Sequence, residues 1–167
     1  MSTVYHTPLA DIESLLVDVL RVGELKSLPQ FAHLDDETVR TVLAQGARFA
    51  EQVLSPINGP GDLETARLVD GEVRYPRGFA EAYARYAADG WLGLDMPERV
   101  GGQGLPRVLQ VAFAEMSNGA NLAFSMLPVT IRAAARLLLE HGSPEIVQRF
   151  VPGLVDAHCH IGLEEHG

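Results

Sequence analysis

The residues best suited to chemistry by type stand near the end of the sequence. His158-Cys159-His160 is followed at 164–166 by two glutamates and a histidine. Imidazole and thiolate groups are good ligands for zinc-like ions, and in an extended segment residues two apart share a face. Two histidines are nevertheless too few for a tight site, so we expect no defined metal centre. A tail that binds metal adventitiously is the interpretation that this cluster leaves open.

A second candidate is the glycine-rich stretch Trp91–Pro106, which reads WLGLDMPERVGGQGLP and which we call the connector. Its glycines suggest a phosphate loop, but a P-loop requires lysine and serine or threonine where Leu105 and Pro106 follow here. A dinucleotide loop requires a preceding buried strand and GxGxxG spacing, and neither is present. We therefore expect a structural connection between two helical segments.

Single carboxylates and hydroxyls give weaker signals. Glu115 lies in an apolar helical pattern, where a buried carboxylate could act as a base with a raised pKa. Buried polar groups are nearly always paired, however, which favours an edge position or an arginine partner for this residue. Ser117 and Ser125 lack the GxSxG pattern of a nucleophile elbow, so no Ser/His/Asp set is indicated.

Composition limits the classes of partner. The 167 residues carry a formal net charge of −9 and are 47% hydrophobic, as expected for one globular domain. The negative charge disfavours nucleic acids and anionic membranes, since both attract basic surfaces. The single cysteine excludes an intramolecular disulfide and fits a reducing compartment. We expect no signal peptide and no apolar run of about 20 residues, which favours a cytoplasmic protein without a membrane span.

The elements that must position these residues are helical. Apolar residues recur at helical spacing in six segments, which predicts an all-α fold of about six helices. Asp70-Gly71 lies between two short apolar runs and predicts one hairpin with a type I′ turn. Pro56 predicts the end of the second helix. We assign residues 1–155 to a helical domain and 156–167 to a divergent histidine-rich tail.

Two further predictions concern the second half of the domain. The segment 118–121, Asn-Gly-Ala-Asn, predicts a break between two helices. The helix that follows, Leu122 to Glu140, is nearly apolar on all sides, which predicts a central helix buried by its neighbours, with a bend near Pro128.

Many separated positions together resemble one family, the N-terminal helical domain of acyl-CoA dehydrogenases. The resemblance covers about residues 4–154 and is closest to the branch that acts on 3-methylmercaptopropionyl-CoA or other acyl-CoAs. The segments that carry it are PRGFAEAY (76–83), GWLGL (90–94), GGQGLP (101–106), EM (115–116), ANLAFSM (120–126) and HGS (141–143), with Tyr5, Pro8, Asp11 and Asp70-Gly71 before them.

The resemblance implies a specific reaction and a specific site. The family oxidises an acyl-CoA thioester to the 2,3-enoyl-CoA: a carboxylate removes the α-proton and the β-hydride passes to FAD. The flavin lies mainly between a middle β domain and a C-terminal helical domain, and the N-terminal domain supplies part of the acyl-chain wall. By position in the motif, the wall residues here are Leu122, Phe124, Ser125, Met126 and Thr130.

The end of the sequence departs from that family. From Pro152 to His160 it resembles instead the first barrel strand of amidohydrolases, where two histidines bind metal. The family's middle domain and the C-terminal domain with the catalytic glutamate are not in the 167 residues. We therefore expect a truncated acyl-CoA dehydrogenase that is inactive alone and binds no flavin alone. We assign no catalytic residue within this sequence. The alternatives are a self-association or partner-binding module, which includes pairing with a chain that supplies those domains, and a metal-binding tail.

Overall fold

Residues 4–156 are described in a computed structural model of the chain. They form a helical bundle with one small hairpin, which confirms the predicted all-α class. The seven α-helices of the described residues are α1 Leu9–Glu13, α2 Asp36–Phe49, α3 Ser55–Leu63, α4 Phe79–Ala88, α5 Arg107–Ala120, α6 Leu122–His141 and α7 Pro144–Val155. The strands are β1 Arg67–Val69 and β2 Glu72–Arg74.

The prediction that Pro56 ends the second helix is wrong. A π-helical turn, Ala50–Leu54, joins α2 directly to α3, so the backbone stays helical from residue 36 to residue 63. Pro56 directly follows the π-helical turn, in which Ser55 N–H donates to the Ala50 carbonyl five residues earlier, and this change in the bonding pattern accommodates the N–H that proline lacks. Asn121 supports this junction from the next layer, because its side-chain amide donates to the Leu54 carbonyl at 3.3 Å.

The predicted hairpin is confirmed. Leu68 pairs with Val73 in an antiparallel register, and the turn residues Asp70 and Gly71 both have positive φ angles, 54° and 85°. Two consecutive positive φ angles define the type I′ turn that matches strand twist. All six strand residues are exposed, so the hairpin projects from the bundle and leaves its aliphatic side chains uncovered.

The centre of the bundle is aromatic. The Trp91 ring stacks on the Phe113 ring with centroids 4.0 Å apart and planes 15° from parallel. Phe49 approaches Tyr86 edge-on at 5.8 Å, and Tyr86 in turn lies 6.0 Å from Phe124. These rings come from α2, α4, the connector, α5 and α6, so one cluster holds the connector and four of the helices together.

Burial of two tyrosines gives the fold a dependence on alkaline pH. Burial raises the pKa of Tyr83 to about 12 and also raises the pKa of Tyr86, whereas an unfolded tyrosine has a pKa of 10.0. The unfolded chain therefore loses these protons first, and the stability present below pH 10 is expected to fall as pH rises toward 12. Urea unfolding between pH 8 and pH 11 measures this slope. The Tyr83→Phe/Tyr86→Phe variant should flatten it, and an unchanged slope would contradict the assignment.

Candidate functional site

The connector is closed by its own backbone. Gln103 N–H donates to the Gly93 carbonyl at 2.9 Å, Gly104 N–H to the Met96 carbonyl at 2.8 Å, and Leu105 N–H to the Leu94 carbonyl at 3.1 Å. A phosphate loop needs amide groups that point outward and are free to donate to the ligand. Three of the amides of the glycine segment are used within the connector, in agreement with the predicted structural role.

Two cavities among the described residues differ from the surface that a flavin requires. The larger cavity, about 700 Å³, lies beside the start of α2, and eight of its ten lining residues are charged, five of them carboxylates. Flavin rings require an apolar concave surface, and carboxylates repel the pyrophosphate. The second cavity, about 480 Å³, lies between α6 and α7 and offers Arg99 as its one cationic lining residue. Neither cavity combines an apolar ring site with several phosphate ligands.

The five predicted wall residues lie at the start of α6, but they do not share one face. Leu122 and Met126 are 61% and 59% exposed, and Thr130 is also exposed. Ser125 is half-buried, and its hydroxyl donates to the backbone carbonyl four residues earlier. Phe124 is fully buried. The exposed members can meet a ligand directly, whereas Phe124 lies in the core beneath them.

Asn121 explains where α6 begins. Its side-chain oxygen accepts a hydrogen bond from Phe124 N–H at 2.9 Å, which is the geometry of a helix N-cap. The predicted break in segment 118–121 therefore falls at Asn121, after α5 has run on through Ala120. Asn121 is itself 1% exposed, and its side-chain amide donates to the Leu54 carbonyl in the π-helical turn before α3. The start of α6 is therefore bonded both to its own backbone and to that turn.

The prediction that α6 is buried all round is wrong. Ile131 faces the core, but a row of apolar side chains on the other side stays in solvent, and we call this row the α6 stripe. Its members are Leu122, Met126, Val129 and Leu137, which are between 47% and 61% exposed. They span about 22 Å of helix at about 1.5 Å per residue. An uncovered apolar row of this length is typical of a binding surface.

By length and composition alone, α6 could also cross a membrane, with a mean hydropathy of 1.5 over its most apolar window. This finding corrects the expectation from the sequence that no apolar run is long enough to span a membrane. Only 22% of that window is buried, but α6 contacts α3, α5 and α7, and one apolar helix is a weak signal among the described residues. Its composition is therefore weak support for a membrane span.

Sequence reasoning missed a buried ion cluster between the connector and α6. Asp95, with a side chain 1% exposed, accepts hydrogen bonds from Arg132 on one carboxylate oxygen and from Arg136 on the other. Arg132 also donates to the Trp91 carbonyl at 3.3 Å and to the Leu92 carbonyl. The available signal was the pair of arginines four residues apart on an otherwise apolar helix, since such residues share a face.

The remaining sequence candidates contribute no site among residues 4–156. Glu115 is exposed on α5, as the edge interpretation expected. No group of three histidine, cysteine, aspartate or glutamate side chains in this part of the chain could hold a metal ion. His158, Cys159 and His160, and the tail to which we assigned them, lie outside the described residues apart from Asp156.

Comparisons with known proteins agree on one family. The family model described as "Acyl-CoA dehydrogenase, N-terminal domain" matches residues 36–158. The chain is 30% identical over 139 residues to 3-methylmercaptopropionyl-CoA dehydrogenase of Ruegeria pomeroyi, covering 83% of this chain and 24% of that protein. It is 32% identical over 111 residues to acyl-CoA dehydrogenase FadE26 of Mycobacterium tuberculosis, covering 65% and 27% respectively. The chain thus spans about a quarter of the length of the curated relatives it matches.

Proposed function

The chain belongs to the acyl-CoA dehydrogenase family, and from this premise we propose that it serves as the N-terminal helical domain of an enzyme that oxidises acyl-CoA to 2,3-enoyl-CoA. The observation that carries the proposal is the exposed α6 stripe. It begins with Leu122 and Met126, two of the residues that the family resemblance assigns to the acyl-chain wall. An exposed aliphatic row is the surface that a hydrocarbon chain requires, because burial of apolar area drives its binding.

In this proposal the five wall residues have different parts. Leu122 and Met126 contact the acyl chain, and the exposed Thr130 extends the wall by about one helical turn. Ser125 lies at the margin with its hydroxyl already bonded to backbone. Phe124 acts from behind, because its ring packs 5.8 Å from the Phe79 ring and supports the helix that carries the others.

We propose that the flavin and the catalytic base come from outside residues 4–156. The two relatives are about four times as long as the segment they share with this chain, which leaves room for further domains. The charged cavity beside α2 and the small cavity beside α7 do not suit FAD. Dehydrogenation then requires those further domains, and residues 4–156 provide one wall of the site in a cytoplasmic enzyme.

Photoaffinity labelling tests the wall directly. An acyl-CoA with a diazirine at the end of its chain should label residues 122–130, and unlabelled acyl-CoA should compete while CoA alone should not. Met126→Asp should lower that labelling at least about fivefold, because it places a charge where the chain must make apolar contact. Val73→Asp is the matched control, since Val73 is 52% exposed on the hairpin and distant in sequence from the wall.

Competed labelling at other residues, or equal losses in both variants, would contradict the proposed wall. Loss of labelling in the Met126 variant alone, with mass spectrometry placing the wild-type label on α6, would support it. Far-UV circular dichroism should show both variants folded, because each substitution is at an exposed position.

A second candidate function is self-association or binding to a protein partner through the same surface. Two uncovered apolar regions favour it, the α6 stripe and the hairpin face with Leu68, which is 74% exposed, and Val73. Light scattering at micromolar concentration separates the two. A dimer that Met126→Asp dissociates would favour this function, whereas a monomer with competed acyl-CoA labelling would favour the wall.

A further inference from the structure

The buried cluster of Asp95, Arg132 and Arg136 joins the connector to α6. The connector is closed by its own backbone hydrogen bonds, and the Gln103 side chain also donates to the carbonyl of Gly90, the residue just before the connector, at 3.0 Å. On the other side, Arg132 and Arg136 project from consecutive turns of α6. The cluster therefore links the connector to two consecutive turns of α6.

The geometry of the cluster is directional. Each carboxylate oxygen of Asp95 accepts from a different arginine, and Arg132 uses a second nitrogen for the carbonyls of Trp91 and Leu92. A guanidinium group is planar, and its donors point in fixed directions. Rotation of α6 by one residue turns the helix by about 100° and shifts it by about 1.5 Å along its axis, which would break every one of these bonds.

Stability alone is a weak reason for such a cluster. Buried ion pairs often contribute no more than apolar residues of the same size, because two charges lose their hydration. The cluster here also carries one more positive than negative charge, with Arg132 only 12% exposed. What the arrangement adds to the apolar contacts of α6 is a set of directional bonds to the connector, which are satisfied in one rotational setting of the helix.

The rotational setting matters because α6 has two different faces. Phe124 and Ile131 lie in the core, while the α6 stripe lies in solvent. We propose that Asp95 is a positioning residue that, through Arg132 and Arg136, fixes the rotation of α6 and so the alignment of the acyl wall. The inference rests on the proposed function for the wall. The attachment of α6 to the connector through these three residues, which we call the lock, is testable without it.

Two variants test the lock. Asp95→Asn removes the charge that holds both arginines, and Arg132→Lys keeps the charge but loses the planar fork. In each variant, amide hydrogen exchange across residues 129–137 should speed up at least about tenfold, while exchange across 39–47 in α2 should change less than about threefold. Asp89→Asn is the control, because it makes the same substitution in an exposed ion pair, with Arg85 at 3.5 Å, whose two members are only four residues apart in sequence.

The position of the photoaffinity label on α6 provides a second readout, which a general loss of stability would not change. In folded Asp95→Asn and Arg132→Lys proteins, the label should spread from the wild-type positions in 122–130 to other α6 residues. Unchanged label positions together with wild-type exchange would overturn the proposal. If the wild type shows no competed labelling, the proposed acyl wall is contradicted, but the role of Asp95 in fixing the rotation of α6 is not. The amide hydrogen exchange rates then test that role by themselves. Should Asp95→Asn not fold, Arg136→Lys decides it, because the Arg136 side chain is 34% exposed and tolerates change.

Discussion

Replacing Phe124 with alanine is expected to lower the free energy of unfolding by about 3–5 kcal/mol. Phe124 is fully buried and lies between the rings of Phe79 and Tyr86, with centroid distances of 5.8 and 6.0 Å. Truncation removes these contacts and leaves a cavity that the surrounding helices can close only in part. Denaturant unfolding followed by circular dichroism, extrapolated to water, measures the change.

Met126→Ala is the comparison that makes the result informative. Met126 lies two residues from Phe124 on the same helix, but it is 59% exposed, so its truncation should change stability by less than about 0.5 kcal/mol. The family resemblance places both residues in one wall, whereas the structure separates them into core and surface. Equal stability losses in the two variants would show that this separation is wrong.

Replacing Gly102 with alanine is expected to lower stability by about 3 kcal/mol or more, because the added methyl group has no room. An ideal Cβ at this position would overlap the backbone carbonyl of Met96. That carbonyl cannot move easily, since it accepts the 2.8 Å hydrogen bond from Gly104 N–H that closes the connector. The substitution must therefore open the loop, and thermal unfolding should show a large fall in Tm.

Gly104→Ala separates crowding from backbone strain. Gly104 has a positive φ of 64°, but the nearest heavy atom to an added Cβ is 3.5 Å away. The cost is then that of a left-handed residue, about 1–2 kcal/mol. A larger loss for Gly104→Ala than for Gly102→Ala would contradict the packing described for the connector.

Local patterns in the sequence were sufficient where local forces decide the structure. Asp70-Gly71 determines its turn because both residues tolerate positive φ angles. Asn121 begins α6 because its side chain can cap the helix that follows. The glycines of the connector are not followed by the residues that a phosphate loop needs, and the structure closes this segment with backbone hydrogen bonds.

Features that depend on distant parts of the chain were not predictable from spacing. Pro56 is tolerated because the π-helical turn Ala50–Leu54 precedes it, and Asn121, 65 residues later, donates a hydrogen bond to the end of that turn. The exposed face of α6 depends on which helices pack beside it, and hydropathy does not carry that information. Asp95 gave no signal of its own, since its partners lie 37 and 41 residues away.

The stack of Trp91 on Phe113 gives this protein an internal optical reporter. Trp91 is the only tryptophan of the 167 residues and is 4% exposed, so intrinsic emission excited at the indole band originates from one known place. That place is the start of the connector, where Arg132 meets the backbone. Changes in emission wavelength or lifetime therefore follow the loop itself, without a dye and without an engineered residue.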